Sequence, residues 1–218
     1  MTRRLAPPPG THCQPWLAGL LVAVLAALAV SGVRPYDRVT WAMEVAPVLI
    51  AMPVLLATRR RWPLTCLLYG LIALHAGILI LGGSYTYARV PLGFWLQDAL
   101  DLARNPYDRI GHLAQGFVPA IAAREILLRG RYVRTRPMLT VLVVCVVLAI
   151  SASYEMIEWA AALILGQGAD AFLGTQGDVW DTQADMACAL TGALAALALL
   201  GRAHDRALRR FMAAGDGG

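Results

Sequence analysis

The sequence contains no lysine and few charged residues: all 19 basic residues are arginine, and charged residues make up 15% of the chain. Soluble globular proteins carry charge on roughly a quarter of their residues. Because 58% of the 218 residues are hydrophobic and the mean hydropathy is +0.58, the composition excludes an ordinary soluble enzyme or binding module. It indicates an integral membrane protein.

Several familiar chemical motifs are also missing. The four cysteines stand alone, with no Cys-x-x-Cys pair, so they predict neither a zinc knuckle nor a redox pair, and we interpret them as small apolar residues or free thiols. There is no His-Glu-x-x-His motif, no phosphate-binding loop ending in Gly-Lys-Ser/Thr and no dinucleotide fingerprint, so the enzyme classes that use them have no support. Aromatic residues do not interleave with the arginines, and no nucleic-acid partner is predicted.

Six stretches are long and apolar enough to predict membrane-spanning helices of about 20 residues each. They run from Pro15 to Val33, Val39 to Ala57, Pro63 to Gly82, Asp108 to Leu128, Met138 to Leu165 and Asp178 to Leu200. Six spans leave no room for a separate soluble domain. We therefore predict an all-α, polytopic bundle of about six transmembrane helices in residues 15–202, with tails at 1–14 and 203–218.

The arginines predict the orientation of this bundle. If the N-terminus is cytoplasmic, 14 of the 19 arginines fall on the cytoplasmic side, the side on which basic residues accumulate in membrane proteins. Both termini are therefore predicted to be cytoplasmic, in a multi-pass protein of a bacterial-type inner membrane. Alternatively, the first span is a cleaved signal peptide, since Arg3 and Arg4 precede it and Ala29-Val30-Ser31 offers small residues for cleavage. The other five spans keep their orientation either way.

The connection between the third and fourth spans predicts contact with membrane lipids. It contains Gly93-Phe94-Trp95-Leu96, followed by alternating acidic and apolar residues. Such a segment favours a short amphipathic helix at the outer interface, with Trp95 at the depth of the headgroups. Lipids are therefore the predicted partners, while nothing in the sequence identifies a protein partner.

The fourth span opens with a polar stripe. At about 100° per residue, Asp108, His112 and Gln115 share one helix face, and Arg109 points elsewhere. One interpretation is a helix cap with a buried, hydrogen-bonded histidine. The other is a functional site, which the histidine one turn below the aspartate favours, because ionisable groups inside a membrane span are costly and usually functional.

The fifth and sixth spans carry further carboxylates at helical spacing. Glu155 and Glu158 lie at i and i+3 between apolar segments, and Asp178, Asp181 and Asp185 form an i, i+3, i+7 stripe. The helix dipole explains Asp178 and part of the placement of Asp181. Asp185 lies about 10 Å into the span at a rise of 1.5 Å per residue and needs a partner. A purely structural polar cluster is the alternative.

All three clusters fall in the outer half of the membrane, so they are predicted to meet at one depth. Carboxylates and an imidazole on facing helices are typical of divalent-metal sites in bundles. The candidate catalytic residues are Asp108, His112, Glu155, Glu158, Asp181 and Asp185, and the candidate metal ligands are His112, Glu155, Glu158, Asp178, Asp181 and Asp185. Lone His75 is interpreted as a core histidine whose polar atoms are satisfied by hydrogen bonds, and Glu44 as either bordering the site or facing water.

Three of these segments together resemble a known family. They are Tyr107 to His112, Glu155 to Trp159 and Gln176 to Met186, and over residues 35 to 202 the chain resembles the YjdF family of bacterial inner-membrane proteins, whose function is unknown. The resemblance implies a membrane topology and no reaction. The spacing Asp-Arg-x-x-His, Glu, Asp-x-x-Asp-x-x-x-Asp is also similar, less closely, to the VanZ-like family, which is associated with glycopeptide tolerance. That family usually has an asparagine-like residue where Asp185 stands.

Three functional hypotheses remain open. The first is an outward-facing enzyme that uses a divalent metal ion, of a kind the sequence leaves unspecified, on a lipid or lipid-linked substrate. The second is a cation- or proton-coupled transporter or channel, which requires a polar path to the cytoplasm. The third is a polar network that fixes helix packing without chemistry, or a membrane partner protein without catalysis.

Overall fold

The computed structural model describes residues 14–165 and 174–213. These residues form seven α-helices and a short 3-10 helix, with no strand among them, which confirms the all-α prediction. The elements are α1 (Gln14–Val33), α2 (Arg38–Thr58), α3 (Cys66–Tyr85), the 3-10 helix (Tyr87–Arg89), α4 (Pro91–Leu100), α5 (Tyr107–Arg129), α6 (Arg136–Leu165) and α7 (Asp181–Ala213). The predicted tail at 1–14, except Gln14, and residues 214–218 lie outside this description.

Five of the helices, namely α1, α2, α3, α6 and α7, are long and apolar enough to cross a membrane. Each overlaps a predicted span. α7 begins at Asp181 rather than at Asp178, so the prediction that Asp178 belongs to the helical stripe of Asp181 and Asp185 is wrong. α7 continues to Ala213, through residues that hydropathy alone assigns to a tail, because one face of this extension is apolar enough to pack: His204 and Leu208 are buried there.

The sixth predicted span forms α5. Because α5 contains several charged residues, it is not among the helices that are apolar enough to be candidate spans by composition. Its 23 residues are nevertheless long enough to cross a bilayer. Near its start, Arg109 contacts Asp181 and Asp185 of α7, and near its end, Arg124 contacts Asp205 in the second half of α7. The two helices therefore run side by side through the whole bundle, and α5 covers the same depth as its neighbours.

Small residues allow α5 and α7 to pack with their backbones close together. A Cβ atom added to Gly116 would lie 1.8 Å from the carbonyl oxygen of Ala189, and one added to Gly192 would lie 2.1 Å from that of Leu113. Ala193, on the same part of α7, is fully buried. Close approach of this kind is the usual role of small residues in membrane helices, and it fills the middle of the α5–α7 contact with apolar atoms.

We call the end of the bundle formed by the starts of α5 and α7 and the end of α6 the outer end, after its predicted orientation, and the opposite end the inner end. The predicted amphipathic segment forms α4 at the outer end. Its Phe94, Trp95 and Leu100 side chains are exposed, as expected for a helix lying against lipid headgroups. Gly93 faces the opposite way, against the side chain of Asn105.

The inner end contains a buried polar network that sequence reasoning missed, and we call it the inner clamp. Glu125 of α5 is fully buried and accepts hydrogen bonds from the backbone and hydroxyl of Thr65 (3.0 and 2.7 Å) and from Arg129 (2.9 Å). Its other contact is Nε2 of His204 on α7, at 3.0 Å. Arg124 reaches Nδ1 of the same histidine at 2.7 Å. The clamp therefore ties α3, α5 and α7 together with every polar group of Glu125 and His204 paired.

The cysteines do not behave alike. Cys145 and Cys188 are free thiols, as interpreted from their isolated positions. Cys66, at the start of α3, is disulfide-bonded, so the interpretation is wrong for this residue.

Candidate functional site

The candidate residues of three helices lie together at the outer end. α5 contributes Asp108 and His112, α6 contributes Glu155 and Glu158, and α7 contributes Asp181 and Asp185. Asp108, His112 and Asp185 are 2–3% exposed, and the other three are also buried. The three helices pack against one another, so the stripes inferred from helical spacing face a common interior.

His112 lies at the centre of this group. Its Nδ1 atom is 3.0 Å from Oε1 of Gln115, one turn along the predicted stripe. With Nδ1–H donating to that amide oxygen, the lone pair of the neutral imidazole is on Nε2. Nε2 faces two carboxylates, Oδ1 of Asp108 at 3.6 Å and Oδ2 of Asp185 at 3.9 Å. A histidine oriented through its other nitrogen in this way is typical of metal ligands.

Asp108, His112 and Asp185 form the most compact potential ligand set in the described part of the chain. One donor atom from each lies within 4.8 Å of the others. Donors bonded to one ion at about 2.0–2.2 Å lie no more than about 4.4 Å apart, so small side-chain rotations bring all three onto a single cation. One nitrogen and two carboxylate oxygens suit Zn²⁺ or Mn²⁺ better than an all-oxygen set would.

Several carboxylate oxygens at this site have no hydrogen-bond partner among the described residues. They are Oδ2 of Asp108, Oδ1 of Asp185 and Oε1 of Glu155, all inaccessible to solvent. Leaving a buried polar group unsatisfied costs about 1–3 kcal/mol, and more when the group is charged. These oxygens therefore call for a bound cation or for protons.

The two arginines near the site pair with the outermost aspartates. Arg104 donates to Oδ1 of Asp181 at 2.6 Å, and Arg109 donates to the same atom at 3.1 Å and to Asp178 at 2.9 Å. Arg109 also approaches Asp185 at 3.1 Å through Nε, but the N–H does not point at the oxygen, and this Nε has no hydrogen-bond partner in the described part of the chain. The expectation that Arg109 points elsewhere is therefore wrong: its long side chain reaches the α7 carboxylates that His112 also faces.

The segment before α7 is held against the start of α5. Gln176 exchanges hydrogen bonds with the backbone of Asn105, donating at 2.9 Å and accepting at 3.2 Å.

The backbone N–H of Trp180 and the nearby guanidinium groups of Arg104 and Arg109 hold the pKa of Asp178 below its ordinary value. Asp178 thus stays ionised at neutral pH, and its contribution to this contact disappears as the pH falls through that lowered pKa.

Two further glutamates complete the acidic interior. Glu158 is 8% exposed and lies within electrostatic range of Glu155, Asp108 and Asp185. Glu44 of α2 is fully buried, and neither of its carboxylate oxygens has a hydrogen-bond partner among the described residues. The sequence placed Glu44 only at the border of the site or in water. Its signal, a lone carboxylate near the outer end of a span, does not show which helices surround it.

The balance of formal charge at the outer end is strongly negative. Seven carboxylates lie close to two arginines, Arg104 and Arg109, and to the imidazole of His112. The carboxylates are those of Glu44, Asp108, Glu155, Glu158, Asp178, Asp181 and Asp185. Arg104 and Arg109 pair with Asp178 and Asp181, and Arg109 also lies beside Asp185. The other carboxylates of this group have no arginine partner among the described residues. Like charges at such short range in a low dielectric require a cation or protonation.

The chain matches a known family and a known membrane protein. The family described as Predicted membrane protein (DUF2238) matches residues 16–206. The chain is 63% identical over 184 residues to Inner membrane protein YjdF of Escherichia coli strain K12, covering 84% of this chain and 88% of that protein. No solved structure matches significantly. The likeness to the VanZ-like family stays a prediction.

Proposed function

We propose that this chain, which belongs to the DUF2238 family and is an inner-membrane protein of the YjdF type, binds a divalent cation between Asp108, His112 and Asp185. The bound ion would serve a reaction on a lipid or lipid-linked substrate at the outer face of the membrane. The observation that carries the proposal is the convergence of three buried donor atoms within 4.8 Å, next to carboxylate oxygens without a hydrogen-bond partner among the described residues.

The unpaired oxygens favour a metal ion over a network that only joins helices. At the inner clamp, Glu125 and His204 find partners within the protein. At the outer end, Oδ2 of Asp108 has no partner among the described residues, and Oδ1 of Asp185 has only the ion contact with Arg109, without a hydrogen bond. A structural network is stabilising only when its members are satisfied, and a divalent ion would satisfy both aspartates and the imidazole at once.

Depth in the membrane supports a lipid substrate. Trp95, Trp159 and Trp180, all at the outer end, are 57–67% exposed. Tryptophans concentrate where the hydrocarbon meets the headgroups. The proposed metal ligands lie within the first two turns of α5 and α7, so the site lies just below the layer in which lipid headgroups reside.

The neighbouring residues offer the groups that hydrolysis or group transfer requires. A divalent ion supplies Lewis acidity and lowers the pKa of a bound water molecule. Glu155, whose Oε1 lies 3.8 Å from the His112 ring, and Glu158, one turn further along α6, are placed to accept or donate protons. Asp181 and Asp178 lie outside the compact three-residue donor set, and we assign them to holding Arg104 and Arg109.

The packing of the bundle counts against transport. A coupled transporter needs a polar path from the outer site to the inner end. Between His112 and the inner clamp, the contact of α5 with α7 is formed by Gly116, Ala189, Gly192 and Ala193, with backbones too close to admit even an added methyl group at the two glycines. A chain of water along this contact would require the two helices to separate.

Elemental analysis of the purified protein tests the proposal. The wild type is expected to hold about one divalent ion per chain, and Asp185→Asn and His112→Gln are expected to hold almost none. Asp181→Asn is a control within the same acidic group, because its partners are arginines; it should keep the ion. Exposed Asp98→Asn should do the same. A metal-free wild type under metal-replete growth, or equal loss in Asp181→Asn and Asp185→Asn, would contradict the assigned shell.

A further inference from the structure

A cavity of about 820 Å³ opens between α1, α2, α3 and α5, away from the acidic site. Val48, Ala76 and Leu79 line its deep end, and these three residues belong to a buried apolar cluster that includes Tyr87 and Tyr107. The cluster separates the cavity from the carboxylates at the outer end. The cavity is therefore a second feature, independent of the proposed metal site.

The lining is almost wholly apolar over the depth of the membrane. Side chains such as Leu20, Val24, Leu55 and Ile72 form most of its wall. The volume lies within the range of about 300–1,000 Å³ that is usual for small-molecule sites. A cavity of this kind within the hydrocarbon layer takes an apolar occupant, and lipid chains are the apolar molecules that surround it.

Positive charge marks the inner mouth of the cavity. Arg59 and Arg60 line it where α2 ends, and both are exposed. Neither forms an ion pair or a hydrogen bond with another described residue. The three consecutive arginines at 59–61 therefore present unneutralised cations at the level where a lipid chain in the cavity would carry its headgroup. Arginine suits a phosphate group because its guanidinium donates two parallel hydrogen bonds.

We propose that this cavity binds one phospholipid of the inner leaflet, with an acyl chain between α1, α2 and α3 and its phosphate on Arg59 and Arg60. The site differs from the lipid layer that surrounds any membrane protein, because it holds one molecule and saturates. It does not depend on the proposed metal reaction, since the apolar cluster lies between the two.

One polar atom within the cavity allows a phospholipid to be distinguished from a ligand of another kind. Nε2 of His75 is buried without a hydrogen-bond partner among the described residues, so the interpretation of His75 as a satisfied core histidine is wrong. His75 lies about 14 Å along α3 from its first residue, at 1.5 Å per residue. A ligand with its polar group in the middle of the membrane would depend on His75. A phospholipid anchored at the inner mouth would depend on the arginines.

The test is native mass spectrometry of the full chain in detergent, titrated with phosphatidylglycerol, phosphatidylethanolamine or diacylglycerol. We expect one phospholipid to bind with a saturating curve, and diacylglycerol, which has no phosphate, to bind at least tenfold more weakly. The double variant Arg59→Gln/Arg60→Gln should weaken phospholipid binding by a similar factor. Arg131→Gln/Arg134→Gln, which removes two exposed arginines outside the cavity, should not.

A second pair of variants tests the cavity itself. Ala73→Phe fills part of the lining, and Ala26→Phe adds the same bulk to an exposed position of α1 outside it. Only Ala73→Phe should reduce the bound lipid, with both variants retaining the thermal stability of the wild type. Equal binding in all variants, non-saturating binding, or binding lost in His75→Phe and retained without Arg59 and Arg60 would each overturn the proposal.

Discussion

Replacing Glu125 by alanine is expected to lower the free energy of unfolding by about 3–5 kcal/mol, the range found when one partner of a buried ion pair is removed. The loss is large because the Glu125 carboxylate is fully buried and accepts hydrogen bonds from Thr65 and Arg129, with His204 3.0 Å away. A total stability of about 5–15 kcal/mol would be reduced by a large fraction. Thermal unfolding in detergent, together with the amount of protein in the membrane, measures it.

The control for this prediction is Arg206, which lies two residues after His204 on α7. Its side chain is exposed, so Arg206→Ala should change stability little. His204→Ala should be destabilising, and the double variant Glu125→Ala/His204→Ala should lose much less than the sum of the two, because both changes break the same contact. Additive losses, or a Glu125→Ala protein as stable as the wild type, would show that the inner clamp does not hold the helices together.

The second large effect is a metal-dependent rise in thermal stability. A ligand at 1,000 times its dissociation constant stabilises a protein by about 4 kcal/mol, and for a chain of this size 1 kcal/mol shifts the melting temperature by about 2–4 °C. We therefore expect saturating Zn²⁺ or Mn²⁺ to raise the melting temperature of the metal-free protein by about 8–16 °C. The shift should be absent in Asp185→Asn, since one of the three ligands is lost.

Glu158→Gln separates charge from ligation in the same experiment. Glu158 lies among other carboxylates and outside the three-residue ligand set. Removing its charge should leave the metal-free protein at least as stable as the wild type. Metal should still raise the melting temperature of Glu158→Gln, but by less than it raises that of the wild type. Two results would contradict the metal hypothesis and leave a structural network: a full metal-induced rise in melting temperature in both Asp185→Asn and Glu158→Gln, or no rise in the wild type or either variant.

Hydropathy was sufficient to predict the spans because the bilayer fixes their length. It was insufficient at the end of α7, where a helix continues past the apolar stretch with an amphipathic face. For the same reason His204 was not recognised as buried. α5 was predicted from its length and position, although its charges set it apart from the other spans; what keeps those charges in the bundle is pairing with α7 at both ends.

Helical periodicity predicted much of the outer site but not its partners. A rotation of 100° per residue places Asp108, His112 and Gln115 on one face, and the structure shows the His112–Gln115 contact that this implies. Periodicity within one helix does not specify which residues of other helices are met. The pairing of Arg104 and Arg109 with α7, the burial of Glu44 and the contact between Glu125 and His204 therefore had no signal in the spacing.

Pulsed electron paramagnetic resonance of the Mn²⁺-loaded protein tests whether His112 and two aspartates hold one divalent ion, as we propose. We expect nuclear modulation from the nitrogen of a single imidazole, present in the wild type and in the His75→Gln control and absent in His112→Gln. Mn²⁺ bound without nitrogen modulation, or modulation that survives His112→Gln, would contradict it.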